Sequence, residues 1–174
     1  MKILVLNGSP RKGNSVTAIN AFAEGAKAKN EVEIVDTYKL NVSPCMACGA
    51  CQCTNGCAMS DDSNLIADKA VNSDMIVFVS PVYWWGITAQ MKMILDKFYC
   101  RGTKLKNKKI GVIIVGASPV EEEQYALIRG QFKCISEYLE WDILFHKDYY
   151  ASAKDDLAKN TEALAELKAE GEKL

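Results

Sequence analysis

With 174 residues, 49% of them hydrophobic and 25% charged, the chain is long enough for one domain, residues 1–174, with a substantial core, and too apolar for disorder. Lys plus Arg number 21 against 22 Asp plus Glu, so a formal charge of −1 gives no electrostatic case for nucleic acid or an anionic membrane as partner. Met1 to Leu6 is interrupted by Asn7 too soon for a signal peptide, and no later apolar run nears the ~18 residues of a membrane span, so a cytoplasmic protein is expected.

Ile3 to Leu6 is a short, wholly apolar run, the pattern of a strand covered on both faces. The stretch Asn7 to Ser15 follows it and leads into helical periodicity at Val16, Ile19, Phe22, Ala23 and Ala26. Two glycines, Gly8 and Gly13, permit a sharp turn with exposed N–H groups. A helix beginning near Ser15 adds more unpaired N–H groups and its positive dipole end. Ser9, Asn14 and Ser15 supply side-chain donors and Arg11 a charged one, which makes the stretch an anion cradle. The spacing Gly8-x4-Gly13 matches part of a P-loop, but Asn14 stands where that motif has its lysine, which excludes a triphosphate. The G-x-G-x-x-G dinucleotide fingerprint is absent too. One phosphomonoester remains.

Val32 to Val35 reads as a second strand, and about twenty aperiodic residues, Asn41 to Asp61, then hold five of the seven cysteines. Without an export signal, cysteines so clustered point to metal or redox chemistry rather than to disulfides. Asp61 or Asp62 is expected to cap a helix reaching Asn72. Met75 to Val79 is a third buried strand, followed by Ser80-Pro81-Val82-Tyr83-Trp84-Trp85-Gly86 and a helix opened by Thr88, with Met91, Ile94, Leu95 and Phe98 inward. Ile110 to Val115 is the fourth strand and ends in Gly116-Ala117-Ser118-Pro119. A helix from Glu121 to Leu139, a fifth strand from Trp141 to Tyr149 and a closing helix from Asp155 to Lys173 complete the chain. Strands and helices in alternation give a doubly wound α/β sandwich on a five-stranded parallel sheet. Such sheets bind ligands beyond the carboxyl ends of their strands, which gathers the loops Gly8–Ser15, Pro81–Gly86 and Gly116–Pro119 at one edge. Large aromatics at Tyr83, Trp84 and Trp85 offer a surface for a planar ring, so phosphate and ring together describe a mononucleotide such as FMN.

These stretches, with Pro44-Cys45 to Cys57, Asp61-Asp62 and Gln90-Met91-Lys92 to Asp96, resemble the flavodoxin-like NAD(P)H-dependent FMN reductases over roughly the first hundred residues. The resemblance implies a flavodoxin-like three-layer α/β/α fold. It implies FMN phosphate bound by Ser9, Arg11, Gly13, Asn14 and Ser15, with the flavin ring against Pro81, Val82, Tyr83, Trp84, Trp85, Gly86 and the Gly116, Ala117, Ser118 loop. NAD(P)H is then the hydride donor and a quinone, flavin, nitro or azo compound or a redox protein the acceptor, in a homodimer or homotetramer. No protein group is assigned as catalytic, because the flavin carries the chemistry.

Cys45, Cys48, Cys51 and Cys57 follow C-x2-C-x2-C-x5-C, which resembles the cluster ligands of the related iron–sulfur flavoproteins and suits a 4Fe-4S group. Zinc, a thiol–disulfide pair, or small buried residues beside the flavin are the other readings. The reading without a metal is preferred, because Cys53 is an extra thiol and Trp84-Trp85-Gly86 looks more like the simple reductases. Cys100, Cys134 and the sole histidine, His146, are expected to be structural.

Overall fold

The apolar runs do form strands. In the computed structural model, which describes all residues 1–174, they are β1 (Lys2–Asn7), β2 (Glu31–Asp36), β3 (Met75–Pro81), β4 (Lys109–Gly116) and β5 (Asp142–Tyr150). Those of β1, β3 and β4 are buried on both sides and the two edge strands β2 and β5 only in part. Every pairing is parallel and the order is β2-β1-β3-β4-β5. Parallel neighbours need crossovers, and the helices α1 (Asn14–Ala26), α2 (Ser63–Val71), α3 (Ala89–Lys97) and α4 (Glu123–Leu139) supply them, while α5 (Asp156–Lys159) and α6 (Thr161–Glu172) follow β5 and cover one face. This is the flavodoxin-like arrangement. Alternate strand residues feed two cores: Leu4, Leu6, Ile76, Phe78, Val112 and Ile114 face α2, α3 and α4, and Ile3, Val5, Val77, Val79, Ile113 and Val115 face α1, α5 and α6. The second core is very close-packed. A Cβ on Gly25 would lie 2.1 Å from the Lys168 carbonyl oxygen and one on Gly171 2.3 Å from that of Phe22, so α1 and α6 touch backbone to backbone.

Two expectations are corrected and one is narrowed. The closing helix from Asp155 to Lys173 is broken at Asn160, whose side chain leaves the first segment and caps α6 by accepting from Ala163 N–H at 3.0 Å. Of the two candidate caps of α2, Asp62 occupies the cap position without a side-chain bond to the helix and Asp61 accepts from Ser63 N–H, the first of the helix, at 2.9 Å, while both also fasten the preceding loop. Trp141 precedes β5, where its indole N–H donates to the Leu105 carbonyl and its ring stacks on Phe78 at 5.9 Å. No helix is long and apolar enough to cross a membrane.

The strand order reverses between β1 and β3: the chain leaves β1 toward β2 and must then cross back. The carboxyl ends of β1 and β3 therefore frame the natural crevice.

Candidate functional site

At that crevice the first loop is locked from beneath. Gly8 N–H donates to the Val79 carbonyl at 2.8 Å and the Thr88 hydroxyl donates to the Gly8 carbonyl at 2.8 Å. The same hydroxyl accepts from Met91 N–H, capping α3, while Thr88 N–H donates to the Ser80 hydroxyl. A side chain on Gly8 would meet Thr88 Oγ1 at 3.0 Å, so glycine is what lets β1 and α3 approach. Asn7 accepts from Ser9 N–H and donates to Asp36 at 2.8 Å, tying the loop to β2.

Above this base, the backbone N–H groups of Lys12, Gly13, Asn14, Ser15 and Val16 have no acceptor in the protein. Five consecutive unpaired donors at the start of α1, with Ser15 buried among them, are a preformed anion site. Arg11 is exposed at its mouth. Asn14 has a different role from the one its position suggested: its amide donates to the Ala153 carbonyl at 2.7 Å and accepts from Leu157 N–H at 3.1 Å. It struts the cradle to the segment after β5. Asp156 fixes that segment in turn, accepting from Ala153 N–H and the Ser152 hydroxyl; the Ala153 bond first, then that from Ser152, hold its carboxyl below the usual range.

The resulting cleft, about 90 Å³, is lined by Ser9, Arg11, Gly13, Asn14, Ser15, Pro81, Val82, Tyr83, Gly116 and Ala117, all anticipated, and by Val115 and Ala151 to Lys154. Residues 151–154 were missed, since nothing in their composition marks them; their place just past the end of β5 was the available signal. The volume suits a phosphate and little more, so a ring attached to it must lie over the rim. There Tyr83 and Gly86 exchange backbone hydrogen bonds of 2.9 and 3.1 Å, closing a two-residue hairpin. Trp84 and Trp85 form its turn with φ of 46° and 59°, a left-handed pair usually given to Asn or Gly and costing roughly 1 kcal/mol or more each. Their rings stand out, 91% and 57% exposed, and their N–H groups have no acceptor. Gly86 and Ser118 lie outside the cleft with the two tryptophans. Tyr125 backs the third loop, its hydroxyl donating to the Ser118 carbonyl at 2.8 Å; burial, and less so Asp148, pushes its pKa up to about 12, which keeps it a neutral donor.

A separate pocket of about 310 Å³ takes in Cys45, Cys48, Cys51 and Cys57, together with Cys100, and leaves Cys53 outside. The supernumerary thiol is thus set apart from the spaced four. Cys57 is the best held: its N–H donates to Asn64 Oδ1 and its carbonyl accepts from Asn64 Nδ2, both at 2.8 Å, and Arg101 donates to the same Asn64 oxygen at 3.0 Å. Gly56 before it has φ of 149°, and a Cβ there would lie 2.4 Å from both Arg101 and Asn64. The loop's ends are joined by reciprocal bonds, Asn41 N–H to Asp62 Oδ2 and Asp62 N–H to the Asn41 carbonyl, and by Ser43 N–H to Asp61. No three acidic, histidine or cysteine side chains converge where a single ion could share them, so the zinc reading has no preformed ligand set. The largest concavity, about 880 Å³, runs between the end of α3 and α4 past Tyr99, Tyr138 and Trp141; it lies on a helical face and offers no row of unpaired amides.

A family model described as NADPH-dependent FMN reductase matches residues 1–128. An iron–sulfur flavoprotein of Methanocaldococcus jannaschii is 35% identical over 125 residues, 68% of this chain and 63% of that protein. One of Methanosarcina thermophila is 38% identical over 123 residues, 68% of this chain and 64% of that protein. The match therefore spans less than two thirds of the length of these relatives. An FMN-dependent NADH-azoreductase of Bacillus anthracis, solved in complex with FMN, superposes with a TM-score of 0.75 over 99% of both chains at 15% identity, a likeness of fold.

Proposed function

Since the chain belongs to the NADPH-dependent FMN reductase family, we propose that it binds FMN and passes electrons from NAD(P)H to a small acceptor (a quinone, a flavin, a nitro or azo compound) or to a redox protein. The observation that carries this reading is the row of five unpaired N–H groups from Lys12 to Val16, a site for a phosphate that no side chain of the protein fills. Ser15 adds a hydroxyl and Arg11 a guanidinium to the same anion, while the Ser9 hydroxyl, which donates to the Arg11 carbonyl at 3.1 Å and accepts from Arg11 N–H, holds the turn that carries them. At the rim Tyr83, Trp84 and Trp85 would give the ring an apolar face, and the unpaired backbone N–H groups of Trp84 and Trp85 would donate to its polar edge.

When bound, FMN supplies the hydride and electron chemistry. The protein's part would be to fix the phosphate through the Lys12 to Val16 amides and to orient the ring at the Tyr83 to Gly86 hairpin. Mixing the FMN-loaded protein anaerobically with NADH or NADPH should bleach the flavin absorption, and a quinone should restore it. Failure of both nucleotides to bleach it would refute the reductase reading. Exposed Tyr138 on α4 and exposed Tyr99, which line one concavity, with exposed Leu127 earlier on α4, favour assembly into a homodimer or homotetramer through that face. Sedimentation at micromolar concentration tests this, and a monomer would refute it.

The cysteine pocket favours a second component. The four residues with cluster spacing, and not Cys53, share one pocket, and both relatives named above are called iron–sulfur flavoproteins. On that basis the preference against a metal is reversed, and Cys45, Cys48, Cys51 and Cys57 are read as thiolate ligands of a 4Fe-4S cluster. The donor chemistry fits such a group, four thiols lining one pocket, and since no three of them converge in the structure the loop would close around the cluster as it binds. Iron and acid-labile sulfide assays on anaerobically purified protein test it, and flavin bands without iron would refute it.

A further inference from the structure

Lys97 closes α3 with its side chain turned inward. The residue is only 2% exposed, and its ammonium has two hydrogen-bond partners, both sulfur: Met59 Sδ at 2.9 Å and Cys57 Sγ at 3.6 Å. No carboxylate lies within ion-pair distance of it, whereas eleven other lysines and arginines of the chain have at least one such partner. Asp61, whose carboxyl feels its charge, already accepts from Ser43 and Ser63 N–H, and Asp96 beside it in the chain is paired with Lys92. A buried cation is costly unless an anion answers it, and thioether sulfur carries no charge. Lys97 lines the pocket that holds the four spaced cysteines.

We propose that Lys97 is a positioning residue for the iron–sulfur group, its ammonium placed at the Cys57 corner so that its charge and hydrogen bond raise the reduction potential. The inference rests on the cluster reading above. Hydrogen bonds to ligand sulfurs and the net charge nearby are the levers by which a protein sets such potentials. Adding one electron makes the four-thiolate cluster more negative, so a fixed positive charge favours the reduced form. Cys57 is also the ligand whose backbone is gripped on both sides by Asn64, so its sulfur is held in place against Lys97.

The test compares wild type with Lys97→Met, which keeps length and apolar volume, Lys97→Arg, which keeps the charge, and Met59→Glu, which gives Lys97 a carboxylate in place of the thioether. Iron, sulfide and flavin are counted per chain, and the cluster's one-electron midpoint is measured by titration with dithionite under electron paramagnetic resonance. Lys97→Met and Met59→Glu should each shift the reduction equilibrium at least tenfold toward the oxidised form, a fall of 59 mV or more, while Lys97→Arg stays near wild type. Flavin content reports an intact fold, and Met59→Glu carries the test should Lys97→Met not fold. Midpoints unchanged in iron-loaded Lys97→Met or Met59→Glu overturn the role of Lys97 alone. Wild-type protein with flavin but no iron overturns the cluster reading and this inference with it.

Discussion

Replacing Ser15 by aspartate sets two effects of the same N–H groups against each other. Ser15 is 3% exposed in the first turn of α1, among the unpaired donors. In the free protein a carboxylate there meets those N–H groups and the positive end of the helix, which is worth about 0.3 to 1 kcal/mol and a rise in Tm of about 1 to 4 °C for a chain of this size. With FMN the same carboxylate faces the phosphate. One unit of like charge at ~4 Å, with an effective dielectric near 20, is repelled by about 4 kcal/mol, close to a thousandfold in Kd. Arg11→Ala removes a charge of the right sign, but from an exposed side chain, so its loss is about 1 kcal/mol or less and fivefold at most. Flavin fluorescence titrations of the apo-proteins with FMN and with riboflavin, which lacks the phosphate, separate cradle from ring. Ser15→Asp should weaken FMN strongly, leave riboflavin within twofold, and melt no lower than wild type. If FMN affinity falls less than tenfold, or riboflavin falls in parallel, the phosphate does not sit on these amides.

Gly171→Ala should destabilise the fold by about 1 to 3 kcal/mol, because its Cβ meets the Phe22 carbonyl at 2.3 Å and the two helix backbones must part; a urea midpoint equal to wild type would contradict the close packing of α1 and α6. Gly130, midway along α4, has open space where a Cβ would go, so Gly130→Ala should add about 0.5 to 1 kcal/mol in the same assay. The Glu166 carboxyl is held below its usual pKa, first by the hydrogen bond from Lys147 and also by that from Tyr149. It binds fewer protons folded than unfolded, so the stability it lends is complete above about pH 4.5 and is lost as the pH falls through its lowered value. Glu166→Gln should flatten that part of the stability–pH curve, by a modest amount because the side chain is 44% exposed; an unchanged slope would count against the Lys147–Glu166–Tyr149 arrangement.

The sheet and the cradle were legible because both are local. Ile3–Leu6, Met75–Val79 and Ile110–Val115 can only be strands covered on two faces, and Gly8 and Gly13 before a helical period can only be a turn that exposes amides. What escaped depends on contacts between distant residues. Asn14 looked like a ligand donor because its partners, Ala153 and Leu157, lie about 140 positions away. The break at Asn160 was masked by apolar residues spaced as in one helix, and the cap-like spacing of Asp61 and Asp62 foretold the bond from Ser63 N–H to Asp61 but not the pair's hold on the amides of Ser43 and Asn41. Cys53 could not be told from the other four until the loop's path set it outside their pocket, and Lys97 reads as an ordinary helix-end lysine until its sulfur partners are seen.

The bonds that join Asn41 to Asp62 and Ser43 to Asp61 bear on more than this one loop. They bring the chain back to its starting point before α2 begins, so the eighteen or so residues between them form a closed detour whose length leaves the register of β1, β2 and β3 untouched; closure entropy changes only slowly with such length. A detour of that kind is an exchangeable cassette. Its length and side chains can change at small cost to the sheet and to the crevice between β1 and β3.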